Sequence, residues 1–160
     1  MMKTRNMKPN KIKKIGILIS FLLIGSILLI GSNTLTAQTT KPEDLIQSLF
    51  EAFNKTDLKK LDELTASPFI FFVGDKISIT NTYSEAVDFD AIKKTGWGYS
   101  KINSSEILYE DKYSSQVHIS FSRFNKNDQV MSTNDVIYTL ILNNSNWKIK
   151  SAVIVGHLTL

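Results

Sequence analysis

Three polar side chains in the C-terminal third of the sequence could bind or polarise a small molecule: Arg123, Asn134 and Tyr138. A guanidinium donates hydrogen bonds to anionic or carbonyl oxygens, an amide both donates and accepts, and a phenol can donate to an oxygen. If each predicted hairpin folds about the middle of its loop, these groups and Ser151 share one face of a sheet. An apolar concavity with a few convergent polar groups is the usual form of a small-molecule site.

The same face is predicted to carry most of the apolar and aromatic side chains of these strands. They are Ile107, Tyr109, Val117, Ile119, Phe121, Val136, Leu140, Leu142, Trp147, Ile149, Val153 and Val155. The alternative to a ligand site is that these side chains fill the concavity. Arg123 would then have a partner near the sheet edge, because buried arginine is rarely unpaired, and the Tyr138 hydroxyl would be satisfied locally.

The opposite face of these strands is partly apolar, because Ile137, Thr139 and Ile141 fall on it. It indicates either a dimer interface or scattered apolar surface. His118 also falls on this face, and His157, the other histidine, lies in the C-terminal tail. Neither has an acidic residue at metal-ligand spacing, so the sequence predicts no metal site.

Several other kinds of chemistry have no support in the sequence. There are no cysteines, which excludes disulfides, thiolate metal sites and cysteine nucleophiles. We find no phosphate-binding loop and no nucleophile elbow. The sequence therefore indicates no cofactor and identifies no catalytic residue.

The N-terminal segment, residues 1–37, is typical of membrane targeting. Six basic residues and no acidic residue precede the apolar run Ile15–Ile30, and the small residue Ala37 ends the segment. A basic N-terminal region, an apolar middle region and a small residue at the cleavage site are the parts of a secretory signal peptide. A retained anchor at residues 15–32 is the alternative, since a span needs roughly 17–25 apolar residues. Either way the domain, residues 38–160, is predicted to be exported, periplasmic or extracellular, with membrane contact only through this segment.

The net charge of the chain comes from this N-terminal segment. The whole sequence has 19 basic and 15 acidic residues, a net of +4, and six of the basic residues precede Ala37. The remaining 13 basic and 15 acidic residues give the domain a net charge of −2. A nucleic-acid partner would need a basic surface, so none is predicted.

The order of the predicted elements defines an α+β domain. Two amphipathic helices start at Thr40 and after Asn54, and the second ends before Ser67-Pro68. A hairpin over Phe69–Thr80 and a short helix over Ser84–Lys94 follow. Four strands complete the chain, at Ser104–Glu110, Gln116–Phe124, Val130–Leu142 and Trp147–Val155. The pattern predicts a curved antiparallel sheet with helices on its concave face.

This pattern resembles the nuclear transport factor 2-like superfamily, and within it an uncharacterised bacterial subgroup of the SnoaL-like branch. The resemblance covers nearly all of Glu43 to Val155. The residues that carry it are Leu49–Asp57, Phe89–Trp97, Ser100, Phe121–Phe124, Tyr138 and Trp147–Ile149. It implies a cone-shaped pocket and frequent homodimers, and it places Trp97 and Tyr99 near the pocket mouth. Trp97 could equally be an anchoring aromatic of the core.

The resemblance does not decide function, because the superfamily contains both enzymes and binding domains. An isomerase of the ketosteroid type needs a carboxylate base and donors to an enolate oxygen. The matching tyrosine of the first helix is absent here. We therefore expect a noncatalytic pocket for a small apolar molecule or a protein partner, lined by Trp97, Tyr99, Arg123, Asn134 and Tyr138. The alternatives are a lyase or isomerase acting on an apolar small molecule in the same pocket, and a structural dimer module with a filled cone.

Overall fold

Three helices and six strands follow one another in residues 41–155, the part of the chain that the structure, a computed structural model, describes. The helices are α1 (Pro42–Asn54), α2 (Leu58–Leu64) and α3 (Phe89–Lys94). The strands are β1 (Thr65–Val73), β2 (Lys76–Thr80), β3 (Trp97–Glu110), β4 (Ser114–Asn125), β5 (Val130–Asn143) and β6 (Asn146–Val155). The fold is α+β and cone-shaped, as predicted.

The first two helices begin where their sequences favour a helix N-terminus. Pro42 occupies the first turn of α1, with the acidic residues Glu43 and Asp44 beside it, and acidic side chains there favour the helix dipole. The Asp57 side chain caps α2 by accepting a hydrogen bond from the backbone N–H of Lys60 at 3.0 Å. Helix α2 ends at Leu64, so Pro68 lies inside β1 rather than just beyond the helix.

The six strands form one sheet in the order β2-β1-β6-β5-β4-β3. Four of its five strand pairs are antiparallel, as predicted, but β1 runs parallel to β6. The antiparallel neighbours are consecutive in the chain, and short connections require that geometry. The parallel pair joins strands that are far apart in the sequence, which local patterns do not reveal.

Strand β1 begins at Thr65 instead of Phe69, and two further predicted boundaries are also wrong. The helix expected over Ser84–Lys94 forms only from Phe89, because Asp88 caps it through a 2.9 Å hydrogen bond from the N–H of Ala91. Strand β3 begins at Trp97 instead of Ser104, and its first residues pair with the end of β4. The aromatic and small residues Trp97–Ser100 therefore belong to the sheet rather than to a loop.

The predicted facing of β4 and β5 is confirmed. Val117 lies opposite Tyr138, and Phe121 lies opposite Asn134, so the apolar residues of both strands face the helices. Arg123 follows Phe121 by two residues and lies on the same face, because side chains alternate along a strand.

The predicted facing of β6 is wrong beyond Ile149. A register shift between Thr139 and Leu140 places Ser151 opposite Thr139 and Ala152 opposite Tyr138. One extra residue in a strand turns all following side chains to the other face. Ser151, Val153 and Val155 therefore lie on the outer face of the sheet. A similar shift after Ile107 turns Tyr109 outward.

The predicted signal peptide or anchor, residues 1–37, and its apolar span at residues 15–32 lie outside the described residues. Among residues 41–155, no helix has the length and apolar character needed to cross a membrane.

Candidate functional site

A cavity of about 720 Å³ lies between α1, the concave face of the sheet and the segment that leads into α3. Most of its wall is apolar. The apolar residues of the wall are Leu49, Phe50, Phe53, Phe71, Val73, Ala86, Val87, Ile92, Phe121 and Ile154. Phe50 and Phe121 pack edge to face with their ring centroids 5.4 Å apart. The predicted cone is thus open rather than filled by side chains.

The mouth of the cavity is formed by β2 and the start of α3. Its exposed residues are Lys76, Ile77, Ser78, Asp88 and Ala91. Lys76 pairs with Val73, and Ser78 with Phe71, so both polar side chains emerge on the concave side of the edge strand. A molecule entering here would pass a polar rim and then meet aromatic and aliphatic walls.

Arg123 is the charged group in the buried part of this wall. It is only 8% exposed, and its Nε has no hydrogen-bond partner among residues 41–155. The two ion pairs of the described region join other residues, Lys60 with Glu63 and His118 with Asp135. The partner expected for Arg123 near the sheet edge is therefore not found in the described part of the chain.

Two buried phenols, Tyr83 and Tyr138, line the cavity with Arg123. Burial raises the pKa of both phenols, and the positive charge of Arg123 lowers each in part. Burial also lowers the pKa of Arg123, against the opposing influence of Tyr83 and Tyr138. Both phenols consequently stay protonated at neutral pH, and the cavity wall contains one buried cation and two buried phenol groups.

Of the residues predicted for the pocket, Arg123 and Tyr138 line the cavity, and Asn134 does not. Asn134 is buried, and its side-chain amide donates to the Ser132 hydroxyl at 2.9 Å. This hydrogen bond within β5 satisfies the Asn134 amide, which is not part of the cavity wall.

The two aromatics predicted near the mouth, Trp97 and Tyr99, are also not among the lining residues. Trp97 is 2% exposed, donates from Nε1 to the Ser100 hydroxyl at 3.0 Å and packs against Phe53. It occupies the position of a core anchor, the alternative that its sequence context left open. Tyr99 stacks on Phe124 and donates to Asp128 at 3.1 Å.

Five polar lining residues were missed at the sequence level: Lys76, Ser78, Tyr83, Asp88 and Ser100. Tyr83 stands alone as an aromatic in a polar stretch between β2 and α3, which was the one available signal that it packs inward. Lys76 alternates with Ile77 along the edge strand, and only the pairing with Val73 shows that it faces the cavity.

The acid–base groups of the cavity are sparse. Asp88 is the carboxylate among the lining residues, and one of its oxygens accepts the capping hydrogen bond from Ala91. His118 does not line the cavity and lies 3.1 Å from Asp135. Within residues 41–155 no three His, Asp or Glu side chains are grouped as metal ligands would be. The arrangement is suited to holding a molecule by apolar contact and a few hydrogen bonds.

Comparison with known proteins supports the fold described above. Residues 41–157 match the family described as NTF2-like protein (DUF6841). The match spans most of the chain, so this protein belongs to that NTF2-like family. No curated protein matches the sequence significantly.

Solved structures share the fold at low sequence identity. A protein of unknown function with a cystatin-like fold from Nostoc punctiforme is 15% identical, with a TM-score of 0.61 over 74% of this chain and 90% of that one. A candidate ketosteroid isomerase from Shewanella frigidimarina is 10% identical, with a TM-score of 0.55 over 70% and 92%. A candidate aromatic ring hydroxylase from Novosphingobium aromaticivorans is 8% identical, with a TM-score of 0.55 over 74% and 86%. At such identities the likeness shows the fold alone.

Proposed function

We propose that this protein is an exported, noncatalytic binding domain that holds a small apolar molecule in the cavity. The observation that carries the proposal is the open cavity of about 720 Å³ with a mainly apolar wall. Ligand pockets commonly measure about 300–1,000 Å³ and bury most of the ligand surface. The contribution of burial, about 25 cal/mol per Å² of apolar area, would supply most of the affinity.

The test is a fluorescence titration with a neutral apolar probe, the methyl ester of 11-(dansylamino)undecanoic acid. The full chain is expressed, and the protein is used with the N-terminus that the expression host produces. Val87→Phe narrows the cavity, whereas Ile79→Phe enlarges an exposed side chain that is not part of its wall. We expect saturable binding that Val87→Phe weakens at least tenfold and Ile79→Phe leaves unchanged. Absence of saturable binding to the unmodified protein would remove the proposal.

A lyase or isomerase acting on an apolar small molecule is the second candidate, and the position of Asp88 at the cavity mouth favours it. A carboxylate base and donors such as Tyr138 and Arg123 could together move a proton beside a carbonyl group. The assay is the conversion of a cyclic β,γ-unsaturated ketone to its conjugated isomer, followed by absorbance. Turnover that Asp88→Asn abolishes would replace the noncatalytic proposal.

We also propose that the domain forms a homodimer through the outer face of its sheet. Strand pairing aligns Ile77, Phe72, Val153 and Ile137 in one row across β2, β1, β6 and β5. Ile77, which ends this row at the edge strand and also borders the cavity mouth, is 64% exposed. A second copy could cover the row face to face around a twofold axis. Light scattering should give a dimer for the unmodified protein and a monomer for Ile137→Lys. Glu110→Lys, which changes a residue outside this row, is the control and should also give a dimer. A monomer at micromolar concentration for all three would exclude the dimer.

The location and the finer family assignment complete the proposal. We place the domain outside the cytoplasm, released after Ala37 or anchored by residues 15–32. We also place it in the SnoaL-like branch, on the motifs Phe89–Trp97 and Phe121–Phe124. Cell fractionation with intact-mass measurement distinguishes the two N-terminal forms, and recovery of the full chain from the cytoplasm would contradict both.

A further inference from the structure

We propose that the ligand of the cavity is an apolar monocarboxylic acid whose carboxylate pairs with Arg123. The inference rests on the proposed binding function and names the chemical class of its ligand. Its apolar body would contact the wall near Phe50 and Phe121, and its carboxylate would lie at the buried end beside Tyr83 and Tyr138.

The state of Arg123 is the first argument. A buried cation without a counter-charge is costly, and buried polar groups nearly always have hydrogen-bond partners. The Nε of Arg123 has none in the described region, and the side chain lines an open cavity. A ligand carboxylate in the cavity would supply the missing counter-charge, and guanidinium groups bind carboxylates through charge-assisted hydrogen bonds.

The neighbours of Arg123 give the second argument. Tyr83 and Tyr138 are the titratable groups that influence it electrostatically, and their phenols are neutral donors rather than counter-charges. Asp88 is exposed at the mouth and already caps α3. The cavity wall therefore contains one buried positive charge and two neutral phenols, with no buried counter-charge among its lining residues.

The charge balance favours a carboxylate over a phosphate. The buried wall supplies a single cation, because Lys76, the other basic lining residue, is exposed at the rim. One guanidinium neutralises a singly charged head, whereas a phosphate monoester would retain excess negative charge beside aromatic walls. The aromatic and aliphatic surroundings require that the rest of the molecule be apolar.

The test compares two probes that differ only in the head group, 11-(dansylamino)undecanoate and its methyl ester. The unmodified protein is expected to bind the carboxylate about ten- to a hundredfold more tightly than the ester, as one charge-assisted hydrogen-bonded pair allows. Arg123→Gln should bring this ratio to about one. Arg123→Lys keeps the charge and should retain part of the preference. Lys76→Gln tests whether the rim lysine, rather than Arg123, binds the carboxylate.

Each outcome separates this inference from the proposed function. Equal binding of both probes by the unmodified protein overturns the carboxylate assignment and leaves the apolar pocket in place. A preference that persists in Arg123→Gln but disappears in Lys76→Gln also overturns it. Failure of both probes to bind contradicts the proposed function itself. The unmodified protein alone gives a decisive ratio, so the result does not depend on the folding of any variant.

Discussion

The side-chain amide of Asn54, at the end of α1, is hydrogen-bonded twice to the backbone of Ser100 in β3. Its Nδ2 donates to the Ser100 carbonyl at 2.8 Å, and its Oδ1 accepts from the Ser100 N–H at 2.8 Å. The Ser100 hydroxyl in turn accepts from the Trp97 indole. These bonds hold α1 against the start of β3, where Ser100 forms part of the cavity wall.

Replacing Asn54 with alanine should destabilise the domain by about 1–3 kcal/mol, because it leaves a partly buried N–H and carbonyl without partners. Urea denaturation measures the change. Asn143→Ala, at the exposed end of β5, is the control and should stay within about 0.5 kcal/mol of the unmodified protein. Equal stability of both variants would show that the two bonds to Ser100 contribute nothing net.

The two aromatic residues at the start of β3, Trp97 and Tyr99, should differ in their contribution to stability, and neither should contribute to ligand binding. Trp97→Phe removes a hydrogen bond and buried volume, so it should lower the stability by about 1–3 kcal/mol. Tyr99→Phe removes only an exposed hydrogen bond to Asp128 and should change little. Neither should alter the affinity for the neutral dansyl ester by more than about twofold, since neither side chain lines the cavity. A larger loss in Tyr99→Phe would place that side chain back in the pocket.

The substitution Arg123→Met should stabilise the ligand-free domain by about 1–3 kcal/mol. It keeps an apolar stem in the wall and removes a buried, unpaired charge, and such replacements are often neutral or stabilising. Thermal unfolding with and without saturating 11-(dansylamino)undecanoate measures the effect. The carboxylate contact proposed for Arg123 cannot form in this variant, so the advantage of the variant should shrink when the ligand is present. A lower melting temperature without ligand would indicate that Arg123 is already paired.

Asp111 should make the stability of the β3–β4 turn dependent on pH. Its carboxylate accepts from the Tyr109 hydroxyl and from the N–H groups of Tyr113 and Ser114, each at 2.7 Å. The bond from Tyr109, then those from the two backbone groups, lowers the pKa of Asp111 from 3.8 to about 2. A lowered pKa in the folded state gives stability that is present above 3.8 and is lost as the pH falls towards 2.

The pH dependence is measured by urea denaturation of the unmodified protein and of Asp111→Asn at several pH values. The unmodified protein should be the more stable of the two at neutral pH, and the difference should shrink below about pH 4. A difference that is constant down to pH 2 would mean that the charge on Asp111 has no part in holding the turn.

The sequence predicted the class of fold because its signals are local. Turn residues at the Gly74-Asp75 and Asn143–Asn146 hairpins fix antiparallel neighbours, and the alternation along β4 and β5 gives the correct faces for Phe121, Arg123 and Tyr138. The parallel contact of β1 with β6 and the register shift before Ser151 depend on packing between distant segments. No local pattern carries that information.

The candidate site was predicted only where a strand places a side chain directly on the concave face. Arg123 and Tyr138 meet this condition, and both line the cavity. Tyr83 and Asp88 come from the irregular segment before α3, whose path is fixed by hydrogen bonds from the N–H and hydroxyl of Ser84 to Asp62, both at 2.8 Å. These hydrogen bonds join the loop to Asp62 in α2. Because the position of the loop depends on this distant residue, its contribution to the cavity could not be deduced from its own residues.

The central claim is that the cavity accepts an apolar molecule, and a crystal structure with a brominated ligand tests it most directly. Methyl 11-bromoundecanoate is neutral, and its bromine can be located by anomalous scattering. We predict a bromine peak inside the cavity, within about 4 Å of wall carbons such as those of Phe50, Phe121 or Ile154. A bromine peak on the outer face beside Ile137 and Val153, with the cavity closed by its own side chains, would contradict the account.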